Sequence, residues 1–439
     1  MFDQIDKVLS KSSLLHQFKL IFAVGTLLAV LLAGKTSAAV PGEPYNWLPR
    51  SHHQVCSSPA QVAAKCEALL LTNANTGNPL ASVSYVSGYT PTDLNSAYKL
   101  LALPPVGSNF SWNGKTVAIV DAYDNPNAAS DLLKYRKQFN LPLCSTSSTS
   151  PSTSDLVGCL FTKANQNGAA SPLPGGNTGW GQEIDLDIEM ASASCPNCKI
   201  LLVEASSNSF TNLAAAVDRA ATMGASAISN SYGGGEFFSE TSSTYNSHFN
   251  HSGIAITAAA GDSGYGVEFP AASQYVTAVG GTTLTKNTSA RGWGETVWSG
   301  TGSGCSSYVP SLSYQPKIGN CTHRIVADVS ADANPNTGVA VYDSYGSSGN
   351  ANWYVFGGTS VATPLIAGIY VSAGNTIKYN EYPYAHTANL NDVVSGSNGS
   401  CTSRSFFGGN NTANAALCQA FTGFDGPSGL GTPNGILAF

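Results

Sequence analysis

Charged residues are scarce in this chain. Lys, Arg, Asp and Glu make up 10% of its 439 residues, where soluble domains carry about 25%. Gly, Ser, Thr and Asn fill the gap. Such a surface depends little on ion pairs and loses little when carboxylates are protonated, which suits an acidic exterior. Basic residues are in deficit, and the net charge is −6. That excludes a nucleic acid or an anionic membrane as the partner. The sequence shows no internal repeat, which excludes a repeat architecture. Histidine is sparse, with seven in all, and none stands in a pattern that suits catalysis or metal binding.

What is present begins with a targeting segment. Lys7, Lys11 and Lys19 precede an apolar run from Leu20 to Gly34, followed by the small residues of Lys35-Thr36-Ser37-Ala38-Ala39. The run is shorter than the roughly 20 residues of a spanning helix. Residues 1–39 therefore read as a signal peptide, cleaved after Ala38 or Ala39, with a retained N-terminal anchor as the alternative. Without them the chain holds 16 basic and 24 acidic residues, a net charge of −8. Ten cysteines suit an exported, oxidising setting. They fall as near neighbours: Cys56 and Cys66, Cys144 and Cys159, Cys195 and Cys198, Cys305 and Cys321, Cys401 and Cys418. Sequential pairing would staple five local loops, although spacing leaves the connectivity open. Cys195-Pro-Asn-Cys198 lacks a second Cys or His pair at metal spacing, so it reads as a small disulfide loop.

At 42% apolar residues the chain can bury a substantial core. Residues 40–86 form an irregular N-terminal extension with one short helix expected near Pro59 to Leu71. Residues 87–439 form the main domain. "YTPTDLNSAYKL" reads as a turn feeding a helix, with Asp93 suited to its first turn. Strands and helices then alternate. "KTVAIVDAY", "KILLVEA", "ASAISNSY" and "GIAITAAA" are short apolar strands. "NAASDLLKYRKQFN", "WGQEIDLDIEMASA" and "FTNLAAAVDRAATMG" are helices. The Ser/Thr/Pro/Gly-rich stretch from Cys144 to Thr178 reads as a surface excursion. Short apolar strands between helices point to an α/β fold, its mostly parallel central sheet covered by helices on both faces.

Within "GGTSVATP", Gly357, Gly358 and Thr359 allow a tight turn and Ser360 opens a helix. The free N–H groups there suit an oxyanion beside Ser360, though a plain Ser/Thr cap would read the same way. Pro364 is expected in the first helical turn. Glu183 and Asp187 lie four residues apart and project from one helix face, while Asp185 and Glu189 are expected to be exposed. A close acid pair shares one proton, so one member can take the serine proton while the other orients it. Asp262, in "AAAGDSGYG", follows an apolar strand at the sheet edge where ligand sites gather. As a turn residue capping its own backbone it would fit equally well.

In this order, "GQEIDLD", "SNSYGG", "AAAGDSG", "FPAASQYVTAVGGT" and "GGTSVATP" resemble the sedolisin family of serine-carboxyl peptidases over roughly Gly88 to Phe439. The resemblance implies a subtilisin-like fold and secreted, acid-active endopeptidase activity on protein or peptide substrates. It makes Ser360 the nucleophile, Glu183 the general base and Asp187 its orienting partner. Asp262, protonated, becomes a donor to the oxyanion together with the Ser360 N–H. It also implies one calcium ion, held by the carboxylates of Asp392 and Asp425 and the carbonyls of Val393, Phe421 and Gly423. Where some members extend the acid network with Glu and Trp, this chain has Asp121 and Tyr232. Such an enzyme is expected to be a monomer with no nucleic-acid partner and no stable membrane association after signal removal. The alternative is an exported binding protein that keeps the fold with little or no catalysis.

Overall fold

The computed structural model describes residues 49–439 apart from 58–61, 83–85, 101–113, 147–156, 347–350, 376, 402 and 405–409. The expected signal segment lies outside the described residues. At the centre runs β4 (Thr116–Ala122), buried at every position, as an apolar strand covered on both faces must be. It pairs in parallel with β7 (Lys199–Ala205) on one side and β8 (Ala227–Asn230) on the other. The sheet continues past β7 through β6 (Val157–Asn165) to β5 (Leu143–Ser145). Past β8 it continues through β10 (Ala255–Ala259) to β12 (Thr277–Lys286). β16 (Val329–Asp332) joins β12 in parallel, and β13 (Trp293–Val297) closes that edge antiparallel.

Side chains alternate across the sheet. Ala118, Val120 and Ala122 share a core with Leu213, Ala216, Val217 and Ala220 of helix α4 (Phe210–Thr222). The opposite face meets α3 (Thr178–Ser194) and α5 (Thr359–Ala373), which also pack on each other. Two further helices, α1 (Pro91–Tyr98) and α2 (Ala128–Gln138), flank this layer. α1 starts with a capping box between Thr90 and Asp93, which satisfies two otherwise orphaned backbone N–H groups. The expected α/β sheet, covered on both faces, is therefore present. All five neighbouring cysteine pairs form disulfides.

The structure corrects several local expectations. Leu69–Asn73 is strand β3 rather than part of a helix. It pairs with β1 (Arg50–Gln54) and with β18 (Asn352–Gly357), which pairs with β17 (Val339–Asp343). The triple Leu run reads equally well as a helix or a strand when its partners are unseen. The excursion after Cys144 contains β6, a full member of the central sheet. Pro364 falls inside α5, beyond its first turn. Asp185 and Glu189 are buried, not exposed, because α3 is enclosed on all sides from Trp180 to Ser194.

Enclosure of so many acids has a consequence for stability. Burial raises Asp121 to about 8 and Asp131 to about 6, and it lifts Asp185 and Glu189 well above the usual carboxyl range. An unfolded carboxyl titrates near 4. The native state thus holds protons that the unfolded chain releases. Their stabilisation is complete below pH ~4 and is lost as pH rises through about 6 to 8. Scanning calorimetry is expected to give a melting temperature at pH 4 on the order of 5 °C or more above that at pH 8; a higher value at pH 8 would contradict this account.

Candidate active site

Four of the anticipated site residues meet where α3 and α5 cross the carboxyl ends of β4, β8 and β10. Glu183 and Asp187 sit one turn apart on α3, Ser360 is the second residue of α5, and all three have no exposed surface. Ser360 Oγ donates to the Ser231 carbonyl at 3.2 Å. It also stands close enough to Glu183 for its hydroxyl to favour the ionised carboxyl. No hydrogen bond of full geometry reaches either Glu183 oxygen. Ser360 and Glu183 therefore lie near each other without a hydrogen bond of full geometry between them.

Burial lifts Glu183 well above the usual carboxyl range, and the Asp187 and Asp121 carboxyls beside it push the same way. Asp187 is raised by burial and by Asp121, against the pull of the Ser231 hydroxyl and of Glu183 itself. These acids titrate as one group: removing a second proton would put two negative charges in a site without solvent. Asp121 reaches this group because it lies on the face of β4 opposite the Ala118/Val120/Ala122 side. Tyr232 does not donate to the acids. Its hydroxyl donates to Asn230 Oδ1 at 2.7 Å.

The fourth residue, Asp262, follows β10 in a glycine-flanked turn. Its Oδ1 accepts from Thr359 N at 2.7 Å and from Thr359 Oγ1 at 2.9 Å. Gly358 occupies the N-cap of α5 and has no side chain to offer, so Asp262 supplies the cap across the cleft. Its Oδ2 is shielded from solvent and has no partner. Burial raises Asp262 to about 7, against the lowering effects of Lys65 and of the Thr359 donors. Below that pH the acid is neutral and Oδ2 can carry a proton to donate. Gly358 has φ +97°, a conformation that favours glycine. A methyl group there would collide with both Asp262 Oδ2 and the Glu67 carbonyl oxygen.

That carbonyl belongs to a segment that the sequence did not connect with the site. Strand β2 (Lys65–Cys66) pairs antiparallel with β9 (Tyr232–Gly235), Lys65 opposite Gly233 and Cys66 opposite Tyr232. Next in register, Glu67 N donates to the Ser231 carbonyl at 3.0 Å, and Ser360 N donates to the Glu67 carbonyl at 3.1 Å. The Glu67 carboxyl is fully buried against Lys65 Nζ, at 2.6 and 2.7 Å. Strand β11 (Glu268–Phe269) brings Glu268 to 3.8 Å from the same ammonium. Burial and Glu268 hold Glu67 well above the usual carboxyl range, while Lys65 lowers it. "KCEALLL" gave no sign of this role, because its contacts are made by backbone atoms.

At the anticipated calcium site, Asp392 Oδ2 accepts from Gly423 N at 2.8 Å, and Asp425 Oδ2 accepts from Phe421 N at 2.9 Å. Ser428 Oγ donates to Asp425 Oδ1 at 2.7 Å and approaches the Val393 carbonyl at 3.5 Å. Burial raises Asp425 to about 7, with Asp392 contributing in the same direction and donors from Phe421 and Ser428 opposing. Two neighbouring carboxylates in an all-oxygen donor set fit a hard divalent cation. His248 and His251 both contact Asp218 of α4.

Residues 169–393 match the model of the subtilase family. The chain is 30% identical over 390 residues to kumamolisin from Bacillus sp. (strain MN-32), covering 80% of this chain and 63% of that protein. It is 32% identical over 188 residues to sedolisin from Pseudomonas sp. (strain 101), covering 38% of this chain and 29% of that protein. It thus spans less than two thirds of the length of either relative. A solved structure of Pseudomonas sedolisin, a serine-carboxyl proteinase complexed with two molecules of pseudo-iodotyrostatin, superposes with a TM-score of 0.57. The match has 24% identity and covers 80% of this chain and 96% of that one. The fold is therefore subtilisin-like, and the chain belongs to the sedolisin family of the subtilases.

Proposed function

We propose that this protein is a secreted, monomeric serine-carboxyl endopeptidase that hydrolyses peptide bonds in acid. The observation that carries the reading is the meeting of Ser360, Glu183 and Asp187 beside Asp262, whose free Oδ2 faces the same small space as the Ser360 N–H. Ser360 Oγ attacks the carbonyl carbon and Glu183 accepts its proton. Asp187, which shares the remaining proton of the pair, holds Glu183 in place. The oxyanion receives hydrogen bonds from Ser360 N–H and from the protonated Asp262. Glu183 then returns the proton to the leaving amine, and water repeats the sequence on the acyl-enzyme.

The acid requirement follows from the two carboxyl roles. A base of this kind needs one negative charge in the Glu183–Asp187 pair, and the donor needs Asp262 neutral. Asp262 loses its proton as pH rises through about 7, and with it the oxyanion loses a donor. Secretion is supported by the five disulfides. Among the described residues, no helix is long and apolar enough to cross a membrane. Asp392 and Asp425, with the carbonyls of Val393, Phe421 and Gly423, would hold calcium, which would neutralise the paired carboxylates and pin the C-terminal loops.

Two measurements test this reading. Casein digestion followed from pH 3 to 9 is expected to peak in acid and to fall through pH ~7, and Ser360→Ala is expected to lower it by about 10⁴-fold or more. Activity that rises to pH 8, or that survives in Ser360→Ala, would remove the acid-base scheme. A binding protein with this fold would digest casein in neither form. For the cation, EDTA is expected to lower the melting temperature at pH 6, calcium to restore it, and Asp425→Ala to abolish the difference. An unchanged melting temperature would exclude a structural calcium.

A further inference from the structure

Asp185 follows Glu183 by two residues and so lies on another face of α3. There it meets Asp131 of α2 and Asp343 at the end of β17, and one carboxyl oxygen from each lies within 4.8 Å of the others. We propose that this cluster is a calcium site, separate from the one proposed at Asp392 and Asp425, and that the ion ties α2, α3 and β17 together.

Two of the three carboxylates are already aimed. Asp131 accepts from Ser344 N at 3.0 Å and from Ser344 Oγ at 2.7 and 2.8 Å. Asp343 Oδ1 accepts from Tyr345 N at 2.8 Å and from Gly346 N at 2.7 Å, and its Oδ2 accepts from Gln182 Nε2 at 3.1 Å. Donors of this kind fix the direction of a carboxylate and leave lone pairs for an ion. Gly346 packs so closely on α3 that a methyl group there would strike Gln182 and the Thr178 carbonyl. That contact holds the turn at residues 343–346 down on the cluster.

Asp185 calls for a ligand. It has no exposed surface, and no hydrogen bond of full geometry reaches either of its oxygens, although the Asn125 and Asp343 side chains stand beside it. Asp131 and Asp343 are buried with it. Among the described residues, no Lys, Arg or His forms an ion pair with any of the three. The charges that act on Asp185 are those of Asp131 and Asp343. Three ionised carboxyls cannot share so small a space without a counter-ion. Protons serve in acid. Once they leave, the counter-ion must come from solution, and the half-buried residues 344–346 are the side of the cluster nearest to it.

The donors select the ion. Carboxylate oxygens without nitrogen or sulfur suit a hard cation. Three carboxylates and the Ser344 hydroxyl supply close to the roughly 6–8 oxygens that calcium takes, whereas magnesium keeps several waters, which an enclosed cluster disfavours. Bound there, calcium braces α3 next to the Glu183–Asp187 pair and restores at pH 8 part of the stability that protons give at pH 4.

Calcium binding measured by equilibrium dialysis at pH 8 tests this. Burial raises Asp131 to about 6 and lifts Asp185 well above the usual carboxyl range, so at pH 6 protons compete for the site. At pH 8 the unaltered chain is expected to bind one more calcium ion than Asp185→Asn, and Asp131→Asn is expected to lose the same ion. Asp425→Ala is expected to keep it, and the double variant Asp185→Asn/Asp425→Ala to bind none. Calcium is expected to raise the melting temperature of Asp425→Ala at pH 8 by about 2 °C or more and to leave that of the double variant unchanged. In EDTA at pH 8, Asp185→Asn is expected to fold and to melt above the unaltered chain, because it removes a charge from the cluster and its amide can donate to Asp343. Equal calcium binding by the unaltered chain and Asp185→Asn would overturn the inference, as would a site that takes magnesium in preference to calcium. None of these readouts uses casein digestion, so the inference and the peptidase reading fail separately.

Discussion

Removal of carboxyl groups from water is the constraint on which the rest of this structure depends. α3 carries Glu183, Asp185, Asp187 and Glu189 into an enclosed layer, and none of the four has exposed surface. An isolated buried carboxylate would cost several kcal/mol. Protonation avoids most of that cost, so the helix is tolerable where acids stay neutral. On the proposed mechanism the same fact gives the site its chemistry. A group of acids that resists losing protons can lend one as a donor at Asp262 and keep a single charge for use as a base. Basic side chains would relieve the burial by pairing with the acids, and they would also hold the carboxylates ionised. The interior around Glu183 and Asp187 is instead lined by other acids, hydroxyls and backbone.

The sheet makes this arrangement rigid. β4, β8 and β10 are parallel neighbours, so their carboxyl ends open on one edge. Asp121, the Ser231 carbonyl and Asp262 all belong to that edge. α5 then enters with a glycine at its N-cap, and the missing cap is supplied by Asp262 through Thr359. One carboxyl oxygen thereby fixes the helix that bears Ser360, and the other is left free. Fold and site share the residue, which ties the position of Ser360 to the protonation of Asp262.

Much of this was legible in the sequence. The apolar strands and the helices between them carry their own periodicity, and "GQEIDLD", "AAAGDSG" and "GGTSVATP" announce the residues that meet. The environment of the acids was less legible. A helix with acids at positions 183, 185, 187 and 189 reads as half solvated, and only the enclosing layers reveal that Asp185 and Glu189 are buried. Pro364 shows the same limit: a proline near a helix start fits the first turn, yet α5 begins early enough to place it further in. Least legible was Glu67. Backbone hydrogen bonds between distant segments leave no mark on side-chain pattern, and "LLLTN" has no feature that names β18 as its partner.

Strand pairing by the N-terminal segment bears on how the cleft exists at all. β9 and β18 each present an edge to β2 and β3. An open edge of this kind invites pairing with any extended chain. Under the proposed peptidase function substrate would bind by the same backbone bonds, and an unfilled cleft would leave the Ser360 N–H unmatched. Residues 65–70 fill both edges, and the Glu67 carbonyl accepts from that N–H. Because these contacts are made by backbone atoms, they do not depend on the identity of the filling side chains. A cleft built to accept many peptides is, for that reason, one that the chain's own N-terminal segment can occupy.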